Sequence, residues 1–174
     1  MDGFITIKQE AINLSGTLQI RKMMLADLHH VINSSMRLMD KIKSDDWEYR
    51  PTPVMRSLKE VAQHLAAIPG ADLLIMQEKG EDEVSAYERS VGETDTSAEM
   101  KDTMVKGYTE LAMYMESLSV YAYLNEITKA FYADSGFTQA RWLLEVITHT
   151  YHHRAQLFNY LKQLGYDVSM RDLY

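Results

Sequence analysis

The chain has 174 residues, 46% of them apolar, and carries 18 basic against 25 acidic side chains, a net charge of −7. That balance argues against nucleic acid and against an anionic membrane surface as partners, because both need a basic face. Cysteine is absent, which excludes disulfides, cysteine metal ligands and a cysteine nucleophile.

The length fits a single domain over 1–174. The first sixteen residues have no basic flank followed by an apolar run, and no stretch approaches the roughly 20 apolar residues of a membrane span, so a soluble cytoplasmic protein is expected. Residues 1–16 are mostly polar, with one short alternating piece (Phe4, Ile5, Ile7), and read as an arm. From Leu18 to Ile42 the spacing is helical, with Met24, Leu28, Val31, Leu38 and Ile42 on one stripe. Ser35 interrupts that stripe, either as a tolerated core residue or as room for a pocket.

Asp45–Arg56, with Pro51 and Pro53, reads as a loop. Ser57 and Glu60 then form a capping box for a second helix whose face is Leu58, Val61, Leu65 and Ile68. Pro69-Gly70 is expected to kink or restart it before it resumes to about Lys79. Gly80–Thr96 is acidic, poor in apolar residues and reads as a connection. Its seventeen residues reach roughly 50 Å when extended, enough to cross a 20-residue helix of about 30 Å, so helices two and three can run parallel. Thr96 and Glu99 cap a third helix with the stripe Met100, Met104, Tyr108, Leu111, Met115 and Leu118. Residues 119–137 fit a strand, a helix extension or a packed loop. Thr138 caps the last helix, Phe137 can staple onto Trp142, and Gly165 stands where a left-handed C-terminal residue belongs. The tail 166–174 reads as irregular. The expected fold class is all-α, a four-helix bundle with a long crossover between helices two and three.

The histidines separate by position. His149 and His153 lie four residues apart, about 40° around the helix axis and about 6 Å along it, so both rings lean toward the core beside Val146 and Leu157. His64, between Val61 and Ile68, leans inward from the second helix. Burying three imidazoles is costly unless each ring nitrogen finds a partner, and one divalent metal satisfies all three. Three histidines with an open fourth position are the ligand set of a catalytic zinc site. No Glu follows His149, so this is not the His-Glu-x-x-His metalloprotease motif. The three rings should bring their nitrogens within about 4 Å of one another. His29 and His30 lie off the first stripe and read as solvated, and His152 faces solvent or a subunit contact. Glu145 and Glu60, each one turn before a ligand candidate, can accept a ring N–H, although a solvated role suits both better and Glu60 is already committed to the cap. Arg154 and Gln156 read as helix braces rather than pocket groups.

His149-Thr150-Tyr151-His152-His153-Arg154-Ala155-Gln156 resembles the His-x-x-x-His-Arg-x-Gln signature of the DinB-like proteins. The stretch from Pro51 through Ser57-Leu58-Lys59-Glu60-Val61-Ala62-Gln63-His64-Leu65 is similar to that family's second-helix motif. Ala155 departs mildly, since family members often carry Gly there. The resemblance implies a four-helix bundle with a crossover after helix two, and a metal triad at His64, His149 and His153. It also implies an activity like that of relatives that are metal-dependent transferases of low-molecular-weight thiols, thiol-dependent isomerases or hydrolases.

The leading expectation is a metal-dependent transferase acting on a small-molecule substrate. With no cysteine in the chain, a thiol nucleophile has to arrive as a cosubstrate. One divalent ion per chain is expected; zinc suits the site best, and nickel or another transition metal also fits. A metal-dependent hydrolase and a non-catalytic metal-binding protein are the alternatives. A homodimer is expected from the resemblance and from the surplus of Tyr and Met.

Overall fold

The computed structural model describes residues 2–174, with side chains from Leu14 onward. It is all-α apart from one two-residue hairpin. α1 spans Asp2–Met39, so the expected arm is the first part of a helix, although the side chains of Phe4, Ile5 and Ile7 lie outside the described residues. No proline occurs before Pro51 to stop it. Along the described part of α1, Leu14, Leu18 and Ile20 are exposed, whereas Leu28, Val31 and Leu38 are fully buried.

A 3-10 turn at Ser44–Asp46 and an irregular segment lead to α2 (Leu58–Met76), which opens on the expected Ser57–Glu60 capping box. α2 continues through Pro69 without a break, stops at Met76 rather than Lys79, and leaves Glu78 in the left-handed region at φ 60°. The acidic connection contains a helix, α3 (Glu81–Gly92). Its only buried side chains are Val84 and Val91, one heptad apart, too sparse a stripe to stand out among charges. Glu81, Asp82 and Glu83 stabilise its first turn by complementing the helix dipole. α4 (Ser97–Ser117) starts at the Thr96–Glu99 box and buries Met100, Met104, Leu111 and Met115.

Residues 119–137 combine two of the expected alternatives. A short helix, α5 (Val120–Asn125), is followed by strand β1 (Ile127–Thr128), which pairs antiparallel with β2 (Phe137–Thr138) in the register Ile127↔Thr138. Thr138 caps α6 (Gln139–Gln163), and the Phe137 and Trp142 rings meet at 5.1 Å. Gly165, at φ +80°, lets the chain leave α6 in a conformation that costs other residues a Cβ clash.

The tail is not irregular. Ser169 and Asp172 form a capping box for α7 (Met170–Leu173), and this end is tied onto α1 by a Lys41–Asp172 ion pair of 2.9 Å and by Arg37 donating to the Asp172 and Tyr174 carbonyls. Val168 anchors it in the core.

Helix α2 packs on α3, α4 and α6, and α1 packs on α4 and α6. The approach of α2 to α4 is close enough to require glycine on both sides. A Cβ on Gly107 would lie 2.8 Å from the Gly70 nitrogen, and one on Gly70 would lie 2.2 Å from the Tyr87 hydroxyl of α3. The space beside Pro69-Gly70 is therefore filled, by α4 and Tyr87.

Candidate metal centre

Two helices supply the site. α2 carries His64 into the interior just after Val61 and Ala62, which are fully buried, and α6 carries His149 and His153 on the edge of the face made by Val146 and Leu157. The ring centroids are 4.3 Å apart for His64 and His153, 5.0 Å for His149 and His153, and 5.3 Å for His64 and His149. One nitrogen from each ring lies within 4.8 Å of the other two. This is somewhat wider than the expected 4 Å, and wider than the about 3.4 Å set by a tetrahedral ion with bonds of about 2.1 Å. The donor chemistry nevertheless fits a divalent transition metal: three imidazole nitrogens, one from each ring, facing one another.

Partners fix two of the rings. Asp72 Oδ2 lies 3.1 Å from His149 Nδ1, and Gln156 Oε1 lies 2.7 Å from His153 Nδ1. Each oxygen accepts an Nδ1–H, which leaves Nε2 as the free, lone-pair-bearing nitrogen. Burial holds His64 down to about 3 and His153 to about 4, aided in both cases by the positive Arg56 and by neighbouring histidines. Both rings are therefore neutral near pH 7, as ligation requires. His149 moves the other way, because the hydrogen bond to Asp72 favours its charged form. Asp72 is raised by burial, against the pull of His149.

Glu145 and Glu60 take the surface roles that suited them better than a ring partnership. Glu145 is held by Arg141 at 3.0 Å, and Glu60 serves the Ser57 cap and a two-point ion pair with Arg50. Asp72, the partner His149 does have, escaped sequence reading. The available signal was a lone carboxylate between Ile68 and Met76 in an otherwise apolar helix. Gln156 holds a ligand candidate rather than bracing the helix. Arg154 is a brace: its Nη1 donates to Ser34 Oγ at 2.8 Å, and its guanidinium lies over the Tyr151 ring.

His29 is exposed, as expected. His30 is half-buried, with Nε2 3.0 Å from the Leu173 carbonyl, so it is not simply solvated. His152 is exposed and lines a cavity of about 430 Å³ beside His149. Trp142, Tyr132 and Ile75 give that cavity apolar walls, and Asp72, Glu88 and Glu145 add three carboxyl groups to its lining. Ser35 makes no space for it: its hydroxyl is fully buried and donates back to the Val31 carbonyl. A second cavity of about 220 Å³ opens beside His64, lined by Arg56, Gln63 and Glu88 among others.

Comparisons with other proteins bear on this chain at the level of family and fold. No curated protein matches the chain. A DinB-family crystal structure from Exiguobacterium sibiricum 255-15 shares 27% identity over 88% of this chain and 97% of that one, with a TM-score of 0.72. DinB-like proteins from Bacillus cereus ATCC 10987 (19% identity, TM-score 0.65) and Bacillus subtilis (17%, 0.60) share the fold, each over 84% of this chain and 93% and 94% of their own. The DinB family model matches residues 19–174, from the exposed end of α1 to the last residue and across all three histidines: the chain belongs to the DinB family.

Proposed function

We propose that His64, His149 and His153 hold one divalent metal, zinc best suited, in a single-domain enzyme that transfers a low-molecular-weight thiol to an electrophilic small molecule. The fold that supports this is a four-helix bundle of α1, α2, α4 and α6, with α3 lying in the crossover between its second and third helices. The observation that carries the reading is the convergence of three imidazoles, two of them already oriented through Nδ1 by Asp72 and Gln156. Structural zinc takes four protein ligands, and here the described residues offer three.

A divalent ion held by three neutral imidazoles keeps its full charge and supplies Lewis acidity that makes a thiol or a water nucleophilic near neutral pH. The chain does the rest. Asp72 Oδ2 holds the Nδ1 proton of His149, and Gln156 Oε1 holds that of His153, so neither ring rotates out of the site. Trp142 and Tyr132 present apolar surface to a substrate in the larger cavity. In the transfer the thiol gives its proton to solvent, the sulfur bonds to the electrophilic carbon, and the bond from that carbon to the leaving group breaks, its electron pair leaving with that group.

The test is consumption of a small electrophile by zinc-loaded protein with and without added thiol. A thiol-dependent rate that His153→Ala abolishes, with helicity retained, supports the transferase. A rate independent of thiol assigns a hydrolase instead, and no rate with either assigns a metal-binding protein without catalysis. The enzyme is further proposed to be a cytoplasmic homodimer, which light scattering at micromolar concentration checks.

A further inference from the structure

Four acidic side chains line the two cavities beside the histidines, and three of them are engaged. Asp72 holds His149 Nδ1, Glu145 pairs with Arg141, and Glu60 serves the Ser57 cap and Arg50. Glu88 makes no hydrogen bond or ion pair among the described residues. It is also the one acid of the four that borders both cavities, the larger with His149 and the smaller with His64. Its helix brings it there by register. On α3, Glu88 lies about 40° around the axis from the buried Val84 and about 60° from the buried Val91, at the edge of the packed face. Tyr87 takes the opposite edge of that face and fills the space beside Gly70. The last turn of α3 is tied to α2 next to His64, because Gln63 Nε2 donates to the Gly92 and Thr94 carbonyls, each at 2.8 Å. The Glu88 side chain itself is exposed. A free carboxylate on a held backbone thus borders the cavities of two of the three histidines and bulk water alike.

We propose that Glu88 is a catalytic residue, the carboxylate that takes the proton of the attacking thiol and passes it to solvent. This role rests on the transferase reading. The S–H bond breaks with its electron pair left on sulfur, and the proton goes to an Oε of Glu88. Sulfur bonds to the electrophilic carbon while the leaving group departs with its electron pair. Water then takes the proton from Glu88, which returns to a carboxylate. Exposure suits the task, since an exposed carboxyl exchanges its proton with water directly.

The test follows the reaction of N-acetylcysteine with iodoacetamide on zinc-loaded protein, which has no cysteine of its own to be alkylated. Glu88→Gln should lower the thiol-dependent rate by about 100-fold, the lower end of what a positioned proton acceptor contributes, and Glu88→Asp should keep part of it. Added formate or acetate should restore rate to Glu88→Ala, where a small carboxylate can take the vacated place, and should not restore it to Glu88→Gln. Zinc affinity, read by competition with a chelator, should change by less than about tenfold in Glu88→Gln, below the loss expected for a partner of a metal ligand. An unchanged rate in Glu88→Gln would overturn the proposal, as would a lost rate in Glu88→Ala that neither anion restores, or a larger loss of zinc affinity. Wild-type protein without any thiol-dependent rate removes the transferase reading itself, and the role of Glu88 with it.

Discussion

Histidines cluster in two places along this chain, and the structure treats them in opposite ways. His29 and His30 are adjacent on α1, so they point about 100° apart. One is exposed beside Asn33, and the other meets the carbonyl of Leu173. His149 and His153, four apart on α6, share a face and meet His64 across the α2–α6 contact. The difference lies less in spacing than in what packs opposite. α6 faces a helix that brings an imidazole and, about two turns further on, a carboxylate against it. Opposite His30 stands the α7 turn, which offers the ring a backbone carbonyl, and His29 stacks on Tyr108.

The contrast can be broken most decisively by removing a ligand candidate. His153→Ala should lower zinc affinity by more than about 100-fold, beyond the roughly 10–100-fold cost of losing an outer partner, as read by competition with a chromophoric chelator. The same change at His29 should leave affinity as it was. Next in size is Asp72→Asn. It keeps the shape but weakens the hold on the His149 Nδ1 proton, and zinc affinity should fall by about 10–100-fold. If affinity is unchanged, Asp72 is only a buried acid.

A third expectation concerns acid. His64 and His153 are depressed in the folded state to about 3 and about 4, whereas the unfolded chain takes up protons near the ordinary 6.5. Their contribution to stability is complete above about pH 7 and drains as pH falls from 6.5, to about 4 for His153 and about 3 for His64. His149 carries the opposite sign: it is raised, so its contribution is full at low pH and is lost as pH rises through its folded value. With two rings against one, the metal-free protein should melt at a lower temperature at pH 5 than at pH 7.5, and His64→Gln should shrink that difference. The smallest effect belongs to the α1 pair. At pH 7.5 His29→Ala should shift stability by no more than about 0.5 kcal/mol, and His30→Ala by about 0.5–1.5 kcal/mol for its bond to Leu173, measured by urea unfolding.

Much of this arrangement was legible in the sequence, because the relevant signals are local. The stripes of α1, α2, α4 and α6, the caps at Ser57, Thr96 and Thr138, and the inward lean of His64, His149 and His153 follow from helical period and capping chemistry. What sequence reading missed depends on partners distant in the chain. α3 is held by two valines and a tyrosine that only makes sense against Gly70. α7 is held by contacts to α1 more than 130 residues away. Asp72 is 77 residues from His149, and no periodicity links them. The same distance explains why the only carboxylates the sequence offered to the rings were Glu145 and Glu60, each one turn away: sequence shows neighbours on one helix and hides those on the next.

The central claim, that these three rings form a metal centre, is tested most directly by an anomalous difference map from crystals grown with zinc and measured on both sides of the zinc absorption edge. The account predicts one peak per chain, about 2.1 Å from a nitrogen of each of His64, His149 and His153, with no fourth protein ligand. A map without a peak there, or with its only peak at another site, would contradict it.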